Sequence, residues 1–198
     1  MSTTLRRVTV FTGSSSGVDP AYARAAVDVG QAFAARGIGV VYGGGNVGLM
    51  GAVSTAARQA GADVHGVMPE ALVDKERAHP NLTSFEIVPD MHARKMRMAE
   101  LGDAFVALPG GIGTLEEFFE VWTWLQLGIH RKPVAVYDVR GFWRPMLTMV
   151  DRMVEEGFVA EAFRDSLLVV STPRDLMHAL ESWQPPVPKF SEAEVPSA

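Results

Sequence analysis

The chain has 198 residues, 47% of them hydrophobic, enough for one substantial core and one domain. A formal net charge of -5 argues against nucleic acid or an anionic membrane as the main partner, since both reward a basic surface, and leaves a small molecule as the expected ligand. Zero cysteines exclude disulfides, thiolate metal sites and cysteine nucleophiles, and suit a reducing cytoplasm.

The opening "MSTTLRRVTV" lacks an apolar stretch of signal-peptide length, and no later run approaches the ~20 apolar residues of a spanning helix, so a soluble cytoplasmic protein is expected. From there short β-branched runs alternate with longer helical ones. Strand 7–13 precedes helix 20–37, strand 38–45 precedes helix 47–61, and strand 63–69 follows. Strand 84–89 precedes helix 91–102, strand 103–111 precedes helix 114–128, strand 133–138 precedes helix 142–157, and strand 167–171 precedes helix 173–183. Strands apolar on both faces and separated by helices predict βαβ crossovers and a doubly wound, Rossmann-like α/β fold with a parallel sheet. Gly37, Gly61, Gly102, Gly128 and Gly157 follow helical runs where a left-handed cap is expected. A single domain over 1–183 is expected, with 184–198 a proline-rich, disordered tail.

In such sheets the ligand lies beyond the carboxyl ends of the strands, where strand order reverses. Three strand ends carry glycine turns: Gly13–Gly17 with Ser14, Gly43–Gly48 with Gly44 and Gly45, and Gly110–Gly113. Each precedes a helix, so together they predict a nucleotide or sugar-phosphate pocket.

Gly43, Gly45 and Gly48 spell G-x-G-x-x-G, but after the second strand, and the acidic residue about 20 positions on, Asp63, falls at a strand entry. That context weakens a dinucleotide site. No glycine loop continues as Gly-Lys-Ser/Thr, which excludes a P-loop. Among Lys75, Lys95, Lys132 and Lys189 only Lys95 adjoins a candidate pocket, a poor basis for pyridoxal chemistry. The histidine spacing implies no metal, and no cofactor is expected.

"LPGGIGTLEE" joins an anion-binding turn to two carboxylates, Glu116 and Glu117, expected in the helix's first turn. Thr114 to Glu117 fits a capping box, which gives Glu117 a structural role, and Glu116, Glu120 and Thr123 fit a solvated stripe opposite Leu115, Phe118, Phe119 and Trp122. The ligand-edge position supports a second role, with the loop facing a phosphate and the glutamates a ribose. In "MHARKMRM", Arg94 and Lys95 in the first turn suit an anion clamp, whereas Arg97 fits a solvated face.

"MHARK" followed by "ALPGGIGTLEE" resembles the LOG-type (Lonely guy) cytokinin riboside 5'-monophosphate phosphoribohydrolases, whose signature P-G-G-x-G-T-x-x-E is matched by Pro109, Gly110, Gly111, Gly113, Thr114 and Glu117. The likeness extends over residues 8–180, and relatives often carry a lysine decarboxylase label. It implies hydrolysis of the N-glycosidic bond of adenosine 5'-monophosphate, often N6-prenylated, with water as the other substrate. It implies Arg94 and Glu117 as a catalytic pair, and Glu76, Lys95, Gly111, Ile112, Gly113, Thr114, Leu115, Glu116 and Thr123 as substrate contacts. It also implies a homodimer with sites near the interface. A non-catalytic nucleotide carrier or sensor and a dinucleotide-dependent oxidoreductase stay open beside it.

Overall fold

The computed structural model describes residues 5–73 and 79–189. Seven strands form one parallel sheet: β1 (Arg7–Phe11), β2 (Gly39–Tyr42), β3 (Val64–Pro69), β4 (Ser84–Val88), β5 (Ala104–Ala107), β6 (Val134–Tyr137) and β7 (Leu167–Val170). Among the described residues eight helices accompany them: α1 (Pro20–Ala35), α2 (Gly48–Gln59), α3 (Glu70–Val73), α4 (Met91–Leu101), α5 (Ile112–Gln126), α6 (Arg144–Glu155), α7 (Glu161–Ser166) and α8 (Pro173–Ser182). All seven predicted strands are present, while the short helices α3 and α7 fall in stretches without a predicted element. None of the described helices is long and apolar enough to cross a membrane.

Side chains alternate across each strand, so a strand apolar throughout feeds a core on both faces of the sheet. Val8 and Val10 of β1, with Val40 and Tyr42 of β2, pack under α1, α2 and α8. Phe11, Val41 and Phe105 point the other way, against α4, α5 and α6. Phe118 on the inner face of α5 is fully buried, with the rings of Phe119, Trp122 and Trp143 at 5.1, 5.9 and 6.4 Å. Burying such a ring is worth about 3 kcal/mol and fixes the helix against the sheet.

Strand order is β4-β3-β2-β1-β5-β6-β7, so the winding reverses between β1 and β5. Phe11 of β1 pairs with Ala107 of β5, and both chains then leave the sheet side by side. The two exits are tied together. Leu108 donates its N–H to the Phe11 carbonyl (2.9 Å), while the Gly13 N–H (3.2 Å) and Thr12 hydroxyl (3.1 Å) donate to the Pro109 carbonyl. Two of the three predicted glycine turns therefore meet at the switch point, where ligand crevices form.

Gly37, Gly61, Gly128 and Gly157 adopt the left-handed conformation expected of them, but Gly102 is extended, with φ -90°. Close approach explains it, because a Cβ there would lie 2.1 Å from the Thr9 hydroxyl oxygen. Of the proline-rich tail, 184–189 are described. They form no helix or strand, and the Lys189 N–H donates to the Gln126 carbonyl (3.0 Å).

Candidate active site

α4 begins where Asp90 caps it, its carboxylate accepting the Ala93 N–H (2.8 Å). One turn further in, Arg94 turns under the ends of β2 and β3 and is buried. Its Nε donates to the Val67 carbonyl and its Nη2 to the Gly43 carbonyl, both at 3.1 Å. Nη1 faces the cleft, 3.7 Å from Met91 Sδ and 3.9 Å from Glu117 Oε1. At that separation Arg94 and Glu117 attract as charges without sharing a hydrogen bond.

The start of α5 corrects the capping-box reading. Its N-cap is Gly111, with no side-chain cap, and the Gly111 carbonyl accepts the Leu115 N–H (3.1 Å). The helix opens at Ile112, so Thr114 is a buried residue of its first turn, and Glu116 and Glu117 stand in the second turn rather than the first. The first-turn N–H groups of Ile112, Gly113 and Thr114 have no intrahelical acceptor, which leaves a positive helix end at the cleft. The carboxylates lie a turn away from it, so the two features do not compete for one place.

Lys95 turns in a different direction from Arg94. Neighbours on a helix point about 100° apart, and Lys95 faces α5, where its buried ammonium binds Glu116 and, at 3.0 Å, Glu120. Burial alone would lower its pKa, but hydrogen bonds and charge from Glu116 and Glu120 outweigh this and hold it above the ordinary lysine range. The supposed solvated stripe of α5 is thus partly its contact with α4. Arg97 does lie on the outer face, where it grips Glu86 with two hydrogen bonds (2.7 and 3.0 Å).

The cleft encloses about 350 Å³. Of the residues singled out in the sequence, Gly13, Ser14, Arg94, Gly111, Ile112, Gly113, Thr114, Glu116 and Glu117 line it, together with Thr12, Met50, Leu72 and Met91, which sequence reasoning did not single out. Leu72 lies in α3, three residues past the end of β3, so its place beyond a strand's carboxyl end was a usable signal. Lys95, Leu115, Gly44, Gly45 and Thr123 do not line it. Leu115 packs on the core, Gly44 sits against Phe85 and Met68, and Thr123 lines an apolar cleft with Phe119, Trp122 and Phe163. Glu76 lies outside the described residues. Of the described residues on either side of it, Leu72 lines the cleft, and the His79 N–H donates to the Gly44 carbonyl (3.1 Å).

The dinucleotide reading fails on geometry. At the start of α2, where a pyrophosphate would sit, the Leu49 and Met50 N–H groups donate to the Gly13 carbonyl (3.0 and 3.3 Å). Asp63 lies at the amino end of β3, away from the cleft, where it accepts the Thr83 hydroxyl (3.2 Å).

Comparison with known proteins shows the family. The family described as "Possible lysine decarboxylase" matches residues 50–180. The cytokinin riboside 5'-monophosphate phosphoribohydrolase LOG7 of Arabidopsis thaliana is 46% identical over 91% of this chain and 83% of its own. Its counterpart LOG of Oryza sativa subsp. japonica is 47% identical over 91% of this chain and 74% of its own. The chain belongs to the LOG family. Solved structures extend the likeness in fold alone. The molybdenum cofactor binding protein of Rippkaea orientalis superposes with a TM-score of 0.68 at 19% identity, covering 91% of this chain and 98% of that one. The molybdenum cofactor carrier protein of Chlamydomonas reinhardtii gives 0.65 at 17%, covering 87% and 94%. Among the described residues, neither Lys95 nor Lys132 lines the cleft where the decarboxylase description would need a lysine. Lys95 is held by two glutamates, and Lys132 donates to the Ala99 and Gly102 carbonyls (both 2.6 Å) at the far end of α4.

Proposed function

We propose that this LOG-family chain hydrolyses the N-glycosidic bond of adenosine 5'-monophosphate, plain or N6-substituted, to the free purine base and ribose 5-phosphate. The observation that carries the reading is the meeting of Arg94 and Glu117 across a cleft bordered by the uncapped start of α5. The helix N-terminus is the place for the 5'-phosphate. Cleavage develops positive charge at the anomeric carbon, as in other glycosyl transfers. Glu117, one turn into α5, faces that carbon, stabilises the cation and orients or deprotonates the attacking water. Arg94 faces the negative charge that gathers on the departing base.

Incubation of the protein with AMP, followed by chromatography, is expected to yield adenine and ribose 5-phosphate in equal amounts. Binding of AMP without release of adenine would leave a nucleotide carrier instead.

The same reading includes a homodimer in the cytoplasm, the latter supported by the absence of cysteine. Along α5, α6 and α7, Phe119, Trp122, Met153, Val159 and Phe163 line an apolar cleft of about 180 Å³, and Phe158 beside it is 79% exposed. A second copy is the partner that buries this face and brings its Thr123 toward a neighbouring subunit's site. Sedimentation equilibrium is expected to give twice the 21.4 kDa chain mass, and a species of single mass would overturn the dimer.

A further inference from the structure

Gly43, Gly45 and Gly48 mimic a dinucleotide fingerprint, and the pyrophosphate place beside them is closed, so the glycines need another reason. At Gly43 the reason is spatial. The residue is not among those with positive φ, so its backbone conformation suits alanine. A Cβ there, however, would lie 1.8 Å from Arg94 Nη2 and 2.9 Å from Arg94 Cζ, while the next neighbour, Met50 Sδ, is at an ordinary 3.4 Å. The guanidinium alone is in the way. It cannot step aside freely, because it is buried and its Nε and Nη2 donate to the Val67 and Gly43 carbonyls at 3.1 Å. Since Cβ atoms essentially never come within 3.0 Å of a neighbour, a methyl at 43 would drive Nη2 back by more than 1 Å and break its bond to the Gly43 carbonyl.

We infer that Gly43 is a positioning residue for the hydrolytic site: by lacking a side chain it forms the floor on which Arg94 lies, with Nη1 turned to Glu117. This rests on the hydrolase reading above. The motif that in other folds brings backbone close to a pyrophosphate here brings backbone close to an arginine. Gly48, whose Cβ would fall 2.3 Å from the Ser14 carbonyl carbon, lets α2 meet the β1 loop in the same way.

The test is a double-mutant cycle of Gly43→Ala, Arg94→Ala and the pair, read by thermal midpoint and by AMP turnover. Gly43→Ala is expected to lower kcat/KM for AMP roughly 100-fold, the effect of displacing a reacting group by about 1 Å. It is also expected to lower the melting temperature by about 5 °C through overpacking. With Arg94 cut back to alanine the space is vacated, and the same Gly43→Ala change should move the melting temperature by less than about 1 °C. Should the single variant fail to fold, the double variant is expected to fold. An unfolded double variant, an equal thermal penalty in both backgrounds, or parental turnover by Gly43→Ala would each overturn the inference. If the parent itself releases no adenine, the hydrolase reading falls, while the thermal cycle still reports whether Gly43 supports Arg94.

Discussion

Glu117→Gln is expected to lower AMP turnover about 1000-fold while binding of ribose 5-phosphate stays within a few-fold of the parent. Glutamine keeps the shape and hydrogen-bonding reach of the side chain but removes its charge and its capacity to take a proton from water. The structure makes the result readable, because Glu117 does not cap α5. The helix begins at Ile112 on Gly111, so no helix start is lost with the carboxylate. Arg94 keeps its two carbonyl acceptors in the variant, and the charge it loses stands 3.9 Å away. Stopped assays with AMP and calorimetry with ribose 5-phosphate separate turnover from binding. Parental turnover by Glu117→Gln would reduce Glu117 to a structural residue and remove the main support for hydrolysis.

How much of this was legible in the sequence depends on the length of the signal. Buried parallel strands must be apolar on both faces, so "RVTVF", "GVVY" and "AFVA" stand out as continuous runs, and all seven strands are located. α3 and α7 span four and six residues, too short for a helical period to register. The convergence of Arg94 and Glu117 was legible through strand ends and family resemblance. The start of α5 was not: a glycine N-cap leaves no side-chain mark, and "TLEE" offered a false one three residues later. Lys95 shows what order along the chain leaves out. It neighbours Arg94 in the chain, but the turn of α4 sends one side chain to the ends of β2 and β3 and the other to α5. Thr123 shows the same limit, since nine residues of helix put it about 13 Å below Thr114. One cleft at the helix start cannot hold both within a single chain.

Arg94→Lys is expected to lower kcat for AMP roughly 100-fold and to leave inhibition by ribose 5-phosphate nearly unchanged. Lysine keeps the positive charge, so a purely electrostatic role would survive the change. Arg94, however, uses a planar fork: Nε and Nη2 are held by the carbonyls of Val67 and Gly43, which sets Nη1 toward Glu117. A single ammonium cannot serve both carbonyls and still reach the cleft. The split between kcat and inhibition decides what Arg94 does there. On the proposed reading the phosphate lies at the N–H groups of Ile112, Gly113 and Thr114 at the start of α5, whereas Arg94 stands next to Glu117, the carboxylate proposed to face the anomeric carbon. A guanidinium beside the reacting bond acts on charge that appears in the transition state, so its loss registers in kcat. A parallel weakening of ribose 5-phosphate inhibition would move Arg94 to the phosphate and leave the departing base to another group.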